Sequence, residues 1–142
     1  MQRPIYLDTN IALSLFLAEA QSEESITWLE QQDTGALWIS GWVQMEYLDV
    51  LGRKIRRGDI TRRDAVTARE SFLLWQNQIA GLVRIQSDVF PIASAMLETF
   101  DGGLTAPDAL HLAICARHDL ALKTYDRDLA KIARKYGIAN SR

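Results

Sequence analysis

The chain has 142 residues, 48% of them hydrophobic and 24% charged, with a formal net charge of −2. That length fits one domain with a sizeable buried core, and no stretch reaches the ~18 apolar residues of a membrane span. A single cysteine, Cys115, excludes an internal disulfide and reads as a small core residue suited to a reducing cytoplasm.

The N-terminal MQRPIYLD has no apolar h-region, so no secretory leader is expected. PIYLD reads as a buried strand, and Asn10 to Ala20 follows at once with helical spacing. Ser22 to Gln32 makes a second helix, ALWIS at 36–40 a strand, and Gly41 to Arg57 a helix that stops at Gly58. Thr61 caps a long helix whose TRRD has the form of a capping box with Asp64 in place of Glu, and Gly81 is expected to end it. LVRIQ at 82–86 reads as a strand, Asp88 to Phe100 as a helix and the Asp-Gly-Gly at 101–103 as a loop. Pro107 to His118 is a helix with proline in its first turn. LALKT at 120–124 is a strand, Asp126 to Tyr136 a helix, and Gly137 to Ala139 a short last edge strand. There is no repeat, low-complexity tract or linker, so residues 1–142 form one domain. Strands alternating with helices imply a three-layer α/β/α sandwich on a central parallel sheet. The functional crevice of such a sheet lies beyond the carboxyl ends of its strands.

Four acids break their local pattern. Asp8 ends the first strand, where it either caps the helix that follows or faces the crevice. Glu46 has Trp42, Val43 and Val50 as helix neighbours, and a carboxylate on an apolar face needs a partner or a cation. Asp49, with Arg53 at i+4, reads instead as a surface acid in a weak ion pair. Asp108 sits in the first turn of an apolar helix, where the helix dipole alone would favour it. Asp126 follows a strand and opens a helix, the topological position of Asp8. Together the four fall on one rim of a parallel sheet. Carboxylates sharing a site repel unless a cation neutralises them, and oxygen ligands favour Mg²⁺ or Mn²⁺ over zinc.

Charge is uneven along the chain. Arg53 to Arg69 holds seven Lys/Arg (Arg53, Lys54, Arg56, Arg57, Arg62, Arg63, Arg69) against Asp59 and Asp64, so the remainder is acidic. Such a segment is either a polyanion contact or a solvated helical face. His111, one turn after Asp108, could approach the site but reads as a packed or solvent-facing ring, and His118 reads as a stabilising charge at a helix end. Trp28, Trp38, Trp42 and Trp75 read as core or interface residues.

YLDTN near the N-terminus, an isolated Glu in the helix after the second strand, DALHLA, and KTYDRDL near the C-terminus resemble the PIN-domain ribonucleases, and more narrowly the VapC-type toxins of bacterial toxin–antitoxin pairs. The resemblance covers essentially the whole chain. It implies a Mg²⁺- or Mn²⁺-dependent endoribonuclease of the cytoplasm, a homodimer, with an antitoxin protein as partner and RNA as substrate. It also implies Asp8, Glu46, Asp108 and Asp126 as catalytic and metal-binding acids, with Asp128 as the alternative to Asp126, and Asn10 and Thr105 as orienting groups. Arg53, Lys54, Arg56, Arg57, Arg62 and Arg63 then become contacts to the RNA backbone.

Two rivals stand beside this reading. One is a phosphate-handling α/β enzyme with Asp8 as nucleophile; a phosphatase of that kind wants a second acid at position 10, which is Asn10, and a receiver domain wants an acidic pair where Leu7 precedes Asp8. The other is a degenerate domain that only binds RNA or protein, against which all four acids are present.

Overall fold

A computed structural model describes residues 2–33, 35–100 and 102–142. In chain order the elements are β1 (Ile5–Leu7), α1 (Thr9–Phe16), α2 (Ser22–Glu30), β2 (Leu37–Ser40), α3 (Gly41–Arg57), α4 (Arg62–Gln78), β3 (Gly81–Val83), α5 (Val89–Leu97), α6 (Ala106–His118), β4 (Ala121–Lys123) and α7 (Arg127–Lys135). The four strands form one sheet in the order β3-β2-β1-β4, with every pairing parallel. Helices cover both faces, giving the expected α/β/α sandwich. The central β1 is buried along its length, and so is β4. That suits a parallel sheet covered on both sides, whose strands read as apolar runs rather than alternating ones.

Local chemistry sets the helix boundaries. Ser40 caps α3 by accepting the Val43 N–H, and Gly58 ends it in the left-handed region at φ 78°. Thr61 and Asp64 form the expected capping box on α4. Thr105 caps α6, which has proline in its first turn, and Asp126 caps α7. Between α1, α3 and α4 lies an aromatic cluster: the Tyr47 and Phe72 rings stack at 4.3 Å between centroids, and Phe16 and Trp75 meet Phe72. Trp28, Trp75 and Cys115 are buried, while Trp38 and Trp42 are partly exposed.

Several boundaries differ from the sequence expectation, among them the end of β3 at Val83 rather than Gln86 and that of α2 at Glu30 rather than Gln32. α1 stops at Phe16 rather than Ala20, because Leu17 turns extended and the Ser22 hydroxyl donates to the Leu17 carbonyl. α4 ends at Gln78, and Gly81 opens β3 instead of closing the helix. The reason is space: a Cβ on Gly81 would lie 2.5 Å from the Trp38 ring. α5 spans only Val89–Leu97, since Asp88 bonds outward to Arg117 at 2.6 Å and Phe100 adopts φ 53°. Asp101, in the expected loop at 101–103, lies outside the described residues. The C-terminal segment makes no strand; it meets β4 through a single parallel bridge between Leu122 and Asn140.

The sheet order positions the crevice. From β1 the chain steps outward to β2 and β3, then returns to place β4 on the other side of β1. Ligand sites of open parallel sheets lie at such a switch point, beyond the strand carboxyl ends. Among the described residues no helix is long and apolar enough to cross a membrane.

Candidate metal centre

The chain leaves β1 at Leu7 and enters α1 through Asp8, which has the extended backbone of an N-cap (φ −64°, ψ 155°). Its Oδ1 accepts the Thr9 N–H at 2.7 Å, so the capping role is real. Its Oδ2 accepts the Thr124 hydroxyl at 2.6 Å, from the turn after β4. The Asp8 N–H also donates to the Lys123 carbonyl at 3.0 Å, which ties the ends of β1 and β4 together. The residue is only 7% exposed.

Glu46 reaches the same place from α3. Its Oε1 accepts the Thr9 hydroxyl at 2.8 Å and faces Nε2 of His111 within hydrogen-bonding distance. That Nε2 lies 3.7 Å from Oδ1 of Asp8. One ligand atom from each of Asp8, Glu46 and His111 lies within 4.8 Å of the others. Burial pushes the Glu46 carboxyl up, but the bond and charge of His111, the Thr9 hydroxyl and Arg53 outweigh it and hold the group below its usual range. On its far side, His111 Nδ1 is 2.8 Å from the Tyr6 hydroxyl, which is 2.8 Å from Ser40 Oγ. Burial pushes the Tyr6 hydroxyl well above its usual value and keeps it protonated.

Asp108 sits in the first turn of α6, its N–H donating to the Thr105 hydroxyl at 3.4 Å. Burial pushes its carboxyl above the usual range, the charges of Asp8, Asp126 and Glu46 add to the shift, and His111 opposes it. Asp108 is therefore within electrostatic reach of the cluster, although neither it nor Asp126 joins the 4.8 Å group. Asp126 is exposed and spends Oδ1 on the N–H groups of Asp128 and Leu129, at 3.0 Å each. Its own N–H donates to Thr124 Oγ, the hydroxyl that holds Asp8. Asp128 is exposed in the first turn of α7. Asn10 donates to the Thr124 hydroxyl at 3.2 Å and accepts the Tyr125 N–H at 3.3 Å, stapling α1 to the turn after β4.

The basic segment lies at the α3–α4 junction. Arg53 pairs with Asp49 at 3.3 Å, as the spacing predicts, and Lys54 pairs with Glu19 at 3.3 Å. Arg56, Arg57, Arg62 and Arg63 are exposed. Lys54 and Arg63 line a groove with Phe16, Glu19 and Ile60, and Glu19 also lines the adjoining groove that holds Asn10 and Asp126. Two of the basic side chains are thus on a surface path that leads to the acidic rim.

Thr9 is the member of the site that sequence reasoning missed, and His111 is the one it placed near Asp108 but read as a packed or solvent-facing ring instead. The available signal for His111 was its spacing: it lies one turn after Asp108, in a stretch of helix where Ala109, Leu112, Ala113, Ile114 and Cys115 are buried too. A polar ring among such neighbours needs a buried partner. The donor set suits a hard divalent cation. Among the described residues, Asp8, Glu46, Asp108 and Asp126 have no Lys or Arg ion-pair partner, and the basic group beside Asp8 and Glu46 is the His111 ring. Close carboxylates without a Lys or Arg partner are what a cation neutralises.

The fold and the acid-rich crevice define a class, a parallel α/β protein with a cluster of acids at the β1/β4 switch point. The PIN domain family model matches residues 5–135, and the chain belongs to that family. A comparison with curated protein sequences gives no match. Among solved structures the chain is similar to VapC20 of Mycobacterium tuberculosis, a sarcin-ricin loop cleaving toxin, with TM-score 0.75 and 18% identity over 97% of this chain and 98% of that one. It is similar to FitAcB of Neisseria gonorrhoeae, with TM-score 0.72 and 18% identity over 97% and 96% of the two chains. It is also similar to a toxin–antitoxin complex from Klebsiella pneumoniae, with TM-score 0.59 and 26% identity over 89% and 90%.

Proposed function

We propose that this PIN domain is a divalent-cation-dependent endoribonuclease and the toxin of a bacterial toxin–antitoxin pair. The observation that carries the reading is the meeting of Asp8 and Glu46 at the switch point, with Asp108 in electrostatic reach and no Lys or Arg ion pair to any of the three among the described residues. Asp8 and Glu46 hold the cation, Mg²⁺ or Mn²⁺, and Asp108 and Asp126 complete the anionic rim. Such an ion, once bound, lowers the pKa of a water and polarises the phosphoryl oxygens of the scissile phosphodiester. Thr9 and Thr124 keep the two carboxylates aimed, and Asn10 and Thr105 fix the loops that carry the acids. Lys54 and Arg63 take the RNA backbone along the groove, and Arg53, Arg56, Arg57 and Arg62 add to the attracting field.

The antitoxin partner is inferred from the toxin–antitoxin complex among the structural relatives. A homodimer is supported by apolar side chains left in solvent on two helices, Met45 and Leu48 on α3 and Leu73 and Leu74 on α4. The cytoplasm is the compartment that fits an RNA substrate and a lone thiol. The rival use of Asp8 as a phosphate-accepting nucleophile has less support, since both of its oxygens already accept hydrogen bonds and it is 7% exposed.

Incubating the purified protein with total RNA tests the reading. Cleavage is expected to stop in EDTA and to return with Mg²⁺ or Mn²⁺. Sustained cleavage in chelator overturns the metal mechanism.

A further inference from the structure

Behind the acids runs a polar chain in the middle of the apolar core. Tyr6, Ser40 and His111 are each 0% exposed and come from β1, the β2–α3 junction and α6. Their neighbours are core residues: Leu7, Ile39, Val43, Leu112 and Ile114 are at most 2% exposed. A Phe at position 6 and a Leu at position 111 would keep an apolar core, and a buried polar network is favourable only when every member is satisfied. Here every member is satisfied, and the direction of the bonds follows from the two ends. Nε2 of His111 faces a carboxylate oxygen of Glu46, which only accepts, so Nε2 carries the hydrogen. In the neutral ring Nδ1 is then left to accept, so the Tyr6 hydroxyl donates to it at 2.8 Å. Tyr6 then accepts from the Ser40 hydroxyl at 2.8 Å, and Ser40 Oγ uses a lone pair on the Val43 N–H at 3.3 Å. The chain leaves the core at one place, Glu46. It also starts and ends on α3, because Ser40 is that helix's N-cap and Glu46 lies in its second turn.

We propose that Ser40, Tyr6 and His111 are positioning residues: a buried brace that fixes both the start of α3 and the aim of the Glu46 carboxylate, with His111 donating from Nε2 to Glu46 rather than serving as a metal ligand. The proposal rests on the cation-binding role given to Glu46 under Proposed function. Partners in the layer behind metal-binding carboxylates set affinity by roughly 10–100-fold, and Tyr6, which touches none of the acids, acts at that distance through His111.

Ring-nitrogen NMR of the metal-free protein and Mn²⁺ titration of variants test it together. The His111 signals, assigned against a His118→Gln variant, are expected to show hydrogen on Nε2 and an accepting Nδ1. Tyr6→Phe keeps the ring and removes one hydroxyl; it is expected to weaken Mn²⁺ binding by roughly 10-fold or more. His111→Leu is expected to do the same. His111→Gln keeps a donor near the position of Nε2 and is expected to hold affinity within a few-fold of the parent. Three results overturn the brace: hydrogen on Nδ1 in the parent protein, unchanged Mn²⁺ affinity in both Tyr6→Phe and His111→Leu, or pulsed EPR of the Mn²⁺-loaded parent showing an imidazole nitrogen bound directly to the ion. A parent protein that binds no Mn²⁺ overturns the cation-binding role itself, whereas the wrong tautomer in a protein that does bind Mn²⁺ overturns the brace alone.

Discussion

The two oxygens of Asp8 have separate partners, Thr9 N–H for one and the Thr124 hydroxyl for the other. Asp8→Asn keeps an accepting oxygen for the helix cap, so the fold should survive while the anionic oxygen is lost. Circular dichroism should be unchanged, and RNA cleavage should fall by roughly 100-fold or more, since a bound metal supplies several kcal/mol to such a reaction. Asp108 gives a stability signature of its own. Its carboxyl is raised in the folded protein, mainly by burial and then by Asp8. The fold therefore favours the protonated form: that contribution is fully present below the ordinary carboxyl pKa and is lost as pH rises through the raised value. Asp108→Asn should melt slightly higher than the parent at neutral pH, and the difference should vanish in acid. Glu46 runs the other way. Its carboxyl is lowered, so its contribution is present above the ordinary pKa and is lost as pH falls through the lowered one. Glu46→Gln should melt lower at neutral pH by a small amount that shrinks in acid, because the side chain is 26% exposed and partly screened. Asp8 and Glu46 were legible in the sequence because a charge at a strand end, or on an apolar helix face, is out of place. His111 was not, since a buried ring looks the same in sequence whether or not it touches a carboxylate sixty-five residues away.

Helices announced themselves at their ends. Ser40, Thr61 and Thr105 each accept a backbone N–H in the first turn, and the glycine at position 58 takes a positive φ. These are chemical signals carried by one or two neighbouring residues, so α3 and the start of α4 could be read directly. Strand limits have no such local marker. β3 begins at Gly81 only because the Trp38 ring of β2 occupies the space of a side chain there, a contact made across forty-three residues. Gly81→Ala should push that ring aside and destabilise the protein by about 1–3 kcal/mol. Urea denaturation is the measurement: the midpoint should fall while the slope stays constant. An unchanged midpoint would mean that β3 moves freely enough to give way.

At the level of the whole molecule, the alternating pattern of strands and helices sufficed for the architecture, because a parallel sheet has few ways to be covered. Strand order was not written in the pattern; it depends on which edge each crossover takes. The charge split of the chain acquires a direction in space. Lys54 and Arg63 line the groove that adjoins the acidic rim, whereas Arg57 lies at the exposed end of α3. Arg63→Glu should therefore weaken RNA binding more than Arg57→Glu and flatten its dependence on salt more strongly. Equal effects from the two changes would point to a diffuse field rather than a track. The position of β4 has a further consequence, one for synthesis. β4 is the last strand of the chain, yet it pairs with the first, and Thr124 completes the hydrogen bonding of Asp8 from 116 residues away. A polypeptide interrupted before β4 leaves β1 as an edge strand paired on one side only, with β2, and the Asp8 carboxylate lacks its hydroxyl donor. The site is finished only when the C-terminal portion has emerged from the ribosome and docked, so prematurely terminated chains carry the opening acid without the frame that aims it.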